Sequence, residues 1–272
     1  MKLLFAFLLV LLTSCVRGKE PTYIGSTPAT SNVVRSFLGI TFSDSIDFIR
    51  WKITMQDDKY RLKCNYGIGK PNTNGFMSDG KWIELSGGLK KEKNYYYLQN
   101  GNKTLGIIEL NNSLLHLLNE NKELLIGTGG WSYTLNIDPS TGAEQISFTP
   151  QQTLLKDSMA FEGRTPCLEF DEKKKGTTCY KLKWWIVLYA DPKANKPTTY
   201  FLKGTVNSHK GKTGTWEMKT GKDGRTLYQL NSDNSNPLYF LLLDGKVLAI
   251  TDDKGKLRIG DEDFSYTLSR KW

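Results

Sequence analysis

Short apolar runs separated by polar turns follow one another along most of the chain. The runs are rich in Tyr, Trp, Val, Ile and Thr, which favour β-strands, and the turns are rich in Gly, Asn and Asp. In the second half, the predicted strands are residues 182–189, 198–205, 214–218, 227–230, 238–243, 247–251 and 264–268. Asp244-Gly245, between two of them, is typical of a tight hairpin. Consecutive strands joined by short turns predict an all-β fold, either an up-and-down antiparallel barrel or a strongly curved sheet.

The two halves of the sequence resemble each other. Residues 105–135 parallel residues 238–268 at a constant offset of 133. Upstream matches keep the same order: residues 80–82 with 214–216, 60–63 with 200–203, and 37–41 with 161–165. Such matches predict two tandem copies of one small antiparallel β-barrel, at residues 36–136 and 159–272. A linker is predicted at residues 137–158, with a turn at Asp138-Pro139 and an edge strand possible at residues 145–149.

One segment of the first copy has a helix-like composition. Residues 112–123 align with the Asp244-Gly245 hairpin of the second copy, so we predict a strand, a turn and a strand there rather than a helix. Residues 18–36, before the first copy, are rich in Pro, Thr, Ser and Gly, which is typical of an extended tether.

The N-terminus has the three parts of a secretory signal. Lys2 is followed by an apolar run at residues 3–12, which is too short to span a bilayer, and then by Thr13-Ser14-Cys15. Leu12 to Cys15 resembles the lipobox of bacterial lipoproteins, which predicts a signal peptide at residues 1–14 and a diacylglycerol on Cys15. Residues 15–35 would then be the lipidated cysteine and its tether. With several acyl chains, this cysteine would hold the protein on the membrane.

The charge of the chain narrows the choice of partners. The formal net charge is +9, or +8 without the signal that carries Lys2, and it is spread over many lysines. Such a surface suits anionic lipid or polysaccharide, whereas export and the lack of a recognition motif argue against nucleic acid. No acidic residue stands next to Cys15, which favours the outer membrane as its location. We therefore expect a lipid-anchored protein of the cell envelope with a protein partner there and, as an open possibility, a small ligand.

Three cysteines remain once Cys15 is assigned to lipid. Cys167 and Cys179 flank a charged turn, and the envelope permits disulfides, so a bridge between them is predicted. Cys64 is then a free thiol, buried within a barrel.

The sequence offers little support for enzyme chemistry. His116 and His209 lack the spacing of metal ligands, and no serine-nucleophile motif occurs. The acidic clusters at residues 252–253 and 261–263 are interpreted as solvated turns. We predict no catalytic residue, no metal site and no cofactor.

Adjacent aromatic residues place rings on both faces of two predicted strands. They are Tyr95, Tyr96 and Tyr97 in the first copy, and Trp184 and Trp185 in the second. Outward rings could stack on sugar or cover a contact between domains, while inward rings would fill the barrel. Large side chains at the expected inward positions argue for a filled interior: Trp82, Trp185, Phe201, Trp216, Tyr228 and Phe240.

The second copy resembles a known family. Phe161 to Cys167, Gly214-Thr215-Trp216 and Leu243 to Lys246 are similar to motifs in the N-terminal domain of NlpE-like envelope lipoproteins. This resemblance implies a lipid-anchored, lipocalin-like barrel and associates the protein with copper tolerance, adhesion sensing and envelope-stress signalling. The sequence departs from the family in one motif, because Leu168, Glu169 and Phe170 follow Cys167 and the Cys-x-x-Cys pair is absent.

Two functions follow as hypotheses. The first is a non-enzymatic lipoprotein with a sensing or scaffolding role at the outer membrane. The second is a carrier or binding protein for a lipid, a glycan or a metal ion. A filled barrel interior favours the first, and an open apolar interior favours the second.

Overall fold

The computed structural model of the protein describes residues 20–138, 155–167, 179, 181–205, 210–220, 225–232 and 236–272. The signal peptide, Cys15, His209 and the possible strand at residues 145–149 lie outside these residues. Within the described ranges, no helix is both long and apolar enough to cross a bilayer.

Eight antiparallel strands close the first barrel, because the last strand, β8, pairs with β1. The strands are β1 (Thr22–Pro28), β2 (Phe48–Gln56), β3 (Lys59–Gly67), β4 (Lys81–Glu92), β5 (Tyr95–Asn100), β6 (Lys103–Asn111), β7 (Leu114–Leu117) and β8 (Thr134–Ile137). A short helix, α1 (Asn32–Leu38), and a 3-10 turn (Met77–Asp79) lie in two of the connections.

A second closed barrel of the same design follows, and its last strand, β16, pairs with β9. Its strands are β9 (Ser158–Thr165), β10 (Leu182–Asp191), β11 (Lys196–Lys203), β12 (Lys212–Thr220), β13 (Thr226–Asn231), β14 (Leu238–Leu243), β15 (Val247–Thr251) and β16 (Thr267–Arg270). The predicted all-β fold of two tandem antiparallel barrels is therefore confirmed. So is the hairpin predicted within residues 112–123, since β6 ends at Asn111 and β7 begins at Leu114.

The predicted tether at residues 15–35 is wrong from Thr22 onward. Residues 22–28 form β1, which pairs with β2 along its whole length and closes the barrel against β8. Helix α1 follows, with Ser31 at its N-cap and Gly39, in the left-handed region, at its C-cap. Pro, Thr, Ser and Gly made this segment resemble a tether, but pairing with two neighbours supplies partners for its backbone.

The error came from the alignment of the two copies. Trp51 Nε1 donates to Thr27 Oγ1 at 2.9 Å, and Trp184 Nε1 donates to Thr165 Oγ1 at 2.8 Å. Residues 23–28 and 161–166 therefore correspond, and both read aromatic-x-Gly-x-Thr-Pro. The match of residues 37–41 with 161–165 was a coincidence of composition.

A glycine in each copy's first strand allows the barrel to close. A Cβ atom on Gly25 would lie 3.0 Å from Leu135 Cδ2, and one on Gly163 would lie 2.5 Å from Leu268 Cδ2. Leu135 and Leu268 are equivalent positions in the last strands, β8 and β16. The first and last strands thus approach more closely than a side chain permits.

The match of Gly80 with Gly214 is wrong as well. Tyr60 faces Gly87 across β3 and β4, and Tyr200 faces Gly214 across β11 and β12. Gly214 therefore corresponds to Gly87, seven residues beyond the sequence match. Trp82 is accordingly not a core residue, and 66 % of its surface is exposed.

Side chains fill the interior of both barrels. The first core includes Trp51, Ile53, Tyr60, Leu62, Leu98, Leu105, Ile107 and Tyr133, and the second includes Phe161, Trp184, Ile186, Tyr200, Trp216, Tyr228, Phe240 and Leu268. Trp216, Tyr228 and Phe240 fill the second barrel as predicted. Trp185 and Phe201 are only half-buried, because they alternate with inward neighbours along their strands. In α1, Val34 and Phe37 belong to the first core, so the helix covers one end of that barrel.

Buried His116 makes stability depend on pH. Nδ1 of His116 hydrogen-bonds Thr134 Oγ1 at 2.8 Å, Nε2 hydrogen-bonds Leu125 O at 3.0 Å, and burial lowers the pKa from its ordinary 6.5 to about 4. As the pH falls from 6.5 towards 4, the unfolded chain takes up the proton before the folded chain. We expect the free energy of unfolding to drop by about 3 kcal/mol over this window, since one pKa unit is worth about 1.4 kcal/mol.

Urea denaturation at pH 7.5 and pH 4 measures this loss, and His116→Gln is the control that cannot titrate. The wild type should lose about 3 kcal/mol more than the variant. Equal losses in both proteins would show that His116 does not titrate in this window.

Candidate functional site

The two barrels are joined by a third apolar cluster that both contribute to. Every member except half-buried Tyr95 is buried. The side chains come from β5 to β7 and the following loop of the first barrel, and from β13 to β15 and the following loop of the second. They are Tyr95, Ile108, Leu110, Leu114, Leu118, Leu124, Leu227, Leu241, Leu243, Val247, Ala249 and Leu257. An interface with its own core fixes the orientation of the barrels.

Polar contacts beside this cluster are reciprocal. Gly127 N donates to Ser269 Oγ at 2.9 Å, and Gly260 N donates to Asn136 Oδ1 at 2.8 Å. Gly127 and Gly260 are equivalent in the two copies, as are Asn136 and Ser269.

Equivalent hydroxyls also meet each other. Thr267 Oγ1 lies 3.0 Å from Thr134 Oγ1 and 2.6 Å from Ser132 Oγ. Contact between equivalent residues is the signature of a two-fold interface, built here between repeats of one chain. The arrangement leaves a cleft between the barrels at one edge of the interface.

The cleft has a volume of about 790 Å³, within the range of small-molecule sites. Its walls come from the loop between β3 and β4 and the start of β2 on one side, and from the end of β9 and the start of β10 on the other. The lining residues are Asp47, Phe48, Gly69, Lys70, Pro71, Asn72, Thr73, Asn74, Gly75, Trp131, Arg164, Cys179, Lys181, Leu182, Lys183, Thr205, Asp263 and Phe264.

An aromatic stack crosses from the first barrel towards the second. The rings of Phe48 and Phe76 are 4.1 Å apart, and those of Phe48 and Trp131 are 5.0 Å apart, with interplanar angles of 14° and 13°. Arg164, from the second barrel, lies over the Trp131 ring at 4.4 Å. This cation–π contact holds the guanidinium against the ring.

A charged contact on the opposite wall also joins the barrels. Arg50 forms an ion pair with Asp263 and donates to Asn74 O at 2.8 Å. Asn74 Nδ2 donates to the second carboxylate oxygen of Asp263 at 2.8 Å. Asp263 therefore contacts the first barrel through both carboxylate oxygens, and its charge also favours the protonated form of Lys181.

The cleft is rich in positive charge. Lys70, Lys181, Lys183 and Arg164 line it, and within the described ranges neither Arg164 nor Lys181 forms an ion pair. Burial lowers the pKa of Arg164, and the charge of Glu162 opposes this shift. Burial, Arg164 and Lys183 lower the pKa of Lys181, and Asp263 opposes them. Arg164 and Lys183 are thus close enough to Lys181 to destabilise its charge, and an electropositive cleft of this kind favours anionic ligands.

The disulfide between Cys167 and Cys179 is present, and Cys179 lines the cleft. Cys64 is a free, buried thiol, as expected. The short chain between the two bridged cysteines, residues 168–178, lies outside the described residues.

The predicted surface aromatics are scattered rather than gathered. Tyr95 packs against the apolar cluster between the barrels. This agrees with the prediction that an outward ring covers a contact between domains. Tyr96 donates to the buried carboxylate of Glu109 at 2.9 Å, and Tyr97 lies beneath Lys122. Their rings do not form a common stacking platform.

The two tryptophans of the second barrel have different roles. Trp184 is buried in the core, and half-buried Trp185 packs on Trp272 with ring centroids 5.4 Å apart. Sugar stacking on these residues remains a prediction.

Sequence reasoning missed the residues that define the cleft. Trp131 and Phe264 are equivalent aromatic positions in the aligned repeats, and that signal was available. Arg164 and Lys181 carried no signal, because only the closure of the second barrel places them beside Trp131. Across the described part of the chain, no three His, Cys, Asp or Glu side chains converge as metal ligands would.

We expect the disulfide to contribute about 3 kcal/mol to the free energy of unfolding, since it closes a loop between residues 12 apart in sequence. Cys167→Ser/Cys179→Ser should lower the free energy of unfolding by this amount, measured by urea denaturation. Maleimide labelling of the folded protein carrying Cys15→Ala should modify no thiol, because Cys64 is buried. In denaturant, one thiol should react before reduction and three after it. Three reactive thiols without reduction would contradict the bridge.

The fold and the cleft define an all-β protein of two closed barrels joined by an apolar, two-fold-like interface. No protein-family model matches the sequence, and no curated protein matches it significantly. Among solved structures, kievitone hydratase from Nectria haematococca matches with 10 % sequence identity and a TM-score of 0.21. The match covers 92 % of this chain and 88 % of the hydratase. A score this low says nothing about the function of this protein.

Proposed function

We propose that this protein is a non-enzymatic, lipid-anchored binding protein of the bacterial cell envelope, and that it senses or scaffolds through the cleft between its barrels. The observation that carries this proposal is the combination of filled barrel interiors with a cleft held open by a rigid interface. A carrier of the lipocalin type needs a hollow barrel, whereas Trp51 and Trp184 occupy the two interiors here. Binding is therefore assigned to the surface between the barrels.

The anchor rests on the N-terminal sequence, and the position of β1 refines it. Seven residue steps separate Cys15 from Thr22, so the first barrel would lie within about 25 Å of the lipid. At the other end of β1, Pro28 pairs with Phe48, which lines the cleft. Because β1 has seven residues and spans about 20 Å, the cleft would face away from the membrane.

This orientation favours a role in sensing. A site directed away from the anchor meets molecules or partners beyond the membrane surface, and a short connection limits its distance from the membrane. The resemblance to NlpE-like lipoproteins supports the same role. The copper association of that family is not part of the proposal, since Cys-x-x-Cys is absent and Cys167 is in a disulfide.

The anchor is tested by Cys15→Ala in the native host. We expect the wild type in the outer-membrane fraction and the variant either unprocessed or in the soluble fraction, because a cysteine must carry the lipid. Cys64→Ala is the matched control and should remain in the membrane fraction. Processing and membrane retention of Cys15→Ala equal to those of the wild type would contradict the anchor.

The sensing role is tested with an envelope-stress reporter in a deletion strain complemented with each variant. Wild type should restore the response, whereas anchored protein with Arg164→Glu should not. An unchanged response in the deletion strain would contradict a sensing role and leave scaffolding or ligand storage.

A further inference from the structure

The described lining of the cleft has an excess of cations over carboxylates. Arg164 and Lys181 are partly buried, and Lys183 and Lys70 are exposed at its rim. Of the two acidic residues in the lining, Asp263 is paired with Arg50, and Asp47 accepts from Gly69 N at 2.7 Å. Asp263 offsets part of the charge of Lys181, but two carboxylates stand against four cations in the lining.

The position of Arg164 is built for recognition rather than for packing alone. Its guanidinium lies over the Trp131 ring, and the aromatic stack continues from Trp131 through Phe48 to Phe76. A guanidinium held in this way binds carboxylate, sulfate or phosphate oxygens in its own plane. Little conformational entropy is lost on binding, because the aromatic stack has already ordered the side chain.

Phe48 stacks on the Trp131 ring, and Arg164 lies over the same ring. The rest of the lining includes lysine residues and the polar side chain of Asn72. That lining suits a hydroxylated anion better than a fatty acid, which needs a continuous apolar channel.

We propose that the cleft between the barrels binds a sugar bearing carboxylate, sulfate or phosphate groups, with Arg164 and Lys181 holding the anionic group. This inference rests on the proposed binding role of the cleft and names its ligand class. The lowered pKa of Lys181 agrees with it, since Arg164 and Lys183 cause part of that shift and a bound anion would offset their repulsion.

Isothermal titration of the lipoprotein in non-ionic detergent tests the proposal. The probes are a trigalacturonate, its fully methyl-esterified form, glucose 6-phosphate, glucose 6-sulfate and inorganic phosphate. We expect at least one anionic sugar to bind with a dissociation constant below about 1 mM and to weaken as salt is raised. The neutral ester should bind at least tenfold more weakly than trigalacturonate if the carboxylate is the recognised group.

The choice of probes separates the sources of the anion. Preference for trigalacturonate, for the phosphate or for the sulfate identifies the recognised group. Inorganic phosphate binding as tightly as every sugar would overturn the sugar part of the proposal, and no binding by any anionic sugar would overturn all of it.

Lys181→Gln and Lys193→Gln form a matched pair, because each removes one charge from the second barrel. Lys181 lines the cleft, whereas Lys193 is exposed at the opposite end, in the turn between β10 and β11. We expect Lys181→Gln to weaken binding at least tenfold and Lys193→Gln to change it less than twofold. Equal losses of affinity in the two variants would show that binding depends only on net charge, and this would contradict the proposed site.

Thermal unfolding of the same variants separates binding from folding. Without ligand, Lys181→Gln should melt at the same temperature as the wild type or higher, because it removes repulsion from Arg164 and Lys183. Weaker binding with undiminished stability is the expected result, and a melting temperature lowered in step with affinity would assign Lys181 a structural role. Failure of the titrations leaves the Cys15→Ala fractionation unaffected, so the two proposals fail separately.

Discussion

Leu243→Asp is expected to separate the unfolding of the two barrels and to destabilise the protein by at least about 4 kcal/mol. Leu243 has no exposed surface and belongs to the cluster that joins the barrels. A carboxylate there would have no partner, and the reciprocal contacts beside it would be strained. The wild type should unfold in one cooperative transition, since the barrels share this core, whereas the variant should show two transitions.

Differential scanning calorimetry with tryptophan fluorescence measures this outcome. Ile259→Asp is the matched control, because Ile259 is an apolar residue of the same barrel with 40 % of its surface exposed. Ile259→Asp should unfold in one transition, at a temperature close to that of the wild type. Two transitions already in the wild type would show that the barrels are independent units.

Trp184→Ala should lower the free energy of unfolding by about 3–5 kcal/mol, while Trp82→Ala should change it by less than about 0.5 kcal/mol. Trp184 is buried to 97 % in the second core, and its indole donates to Thr165; Trp82 is exposed over 66 % of its surface. Trp184→Ala thus removes a side chain that fills the core, whereas Trp82→Ala removes a ring that is exposed to solvent. Urea denaturation of both variants gives the comparison.

This pair also decides between two alignments of the repeat. The sequence match of Gly80-Lys81-Trp82 with Gly214-Thr215-Trp216 requires Trp82 to be as important as Trp216, which is buried to 97 %. The strand pairing instead equates Gly87 with Gly214, and Trp82 then has no counterpart in the core. A large loss of stability in Trp82→Ala would contradict the structural alignment.

Local pattern predicted β14 and β15 residue by residue, because a short apolar run and an Asp-Gly turn are properties of neighbouring residues. It failed for β1, where Pro, Thr, Ser and Gly resemble a tether until two strands pair with them. Residues 23–28 and 161–166 share the pattern aromatic-x-Gly-x-Thr-Pro, so the sequence itself contained the correct alignment of the two copies. A register slip of a few residues leaves composition almost unchanged, so only pairing shows which match is right.

The sequence by itself determined the all-β class, the repeat and the disulfide, and it predicts the lipid anchor at Cys15. Each of these depends on residues close together in the chain or on the similarity between its halves. Only the tertiary structure decided where β1 lies, how the barrels dock and that Arg164 lies on Trp131. Those residues are 33 apart in sequence and belong to different barrels, so their contact exists only after both barrels close and a two-fold-like interface orients them.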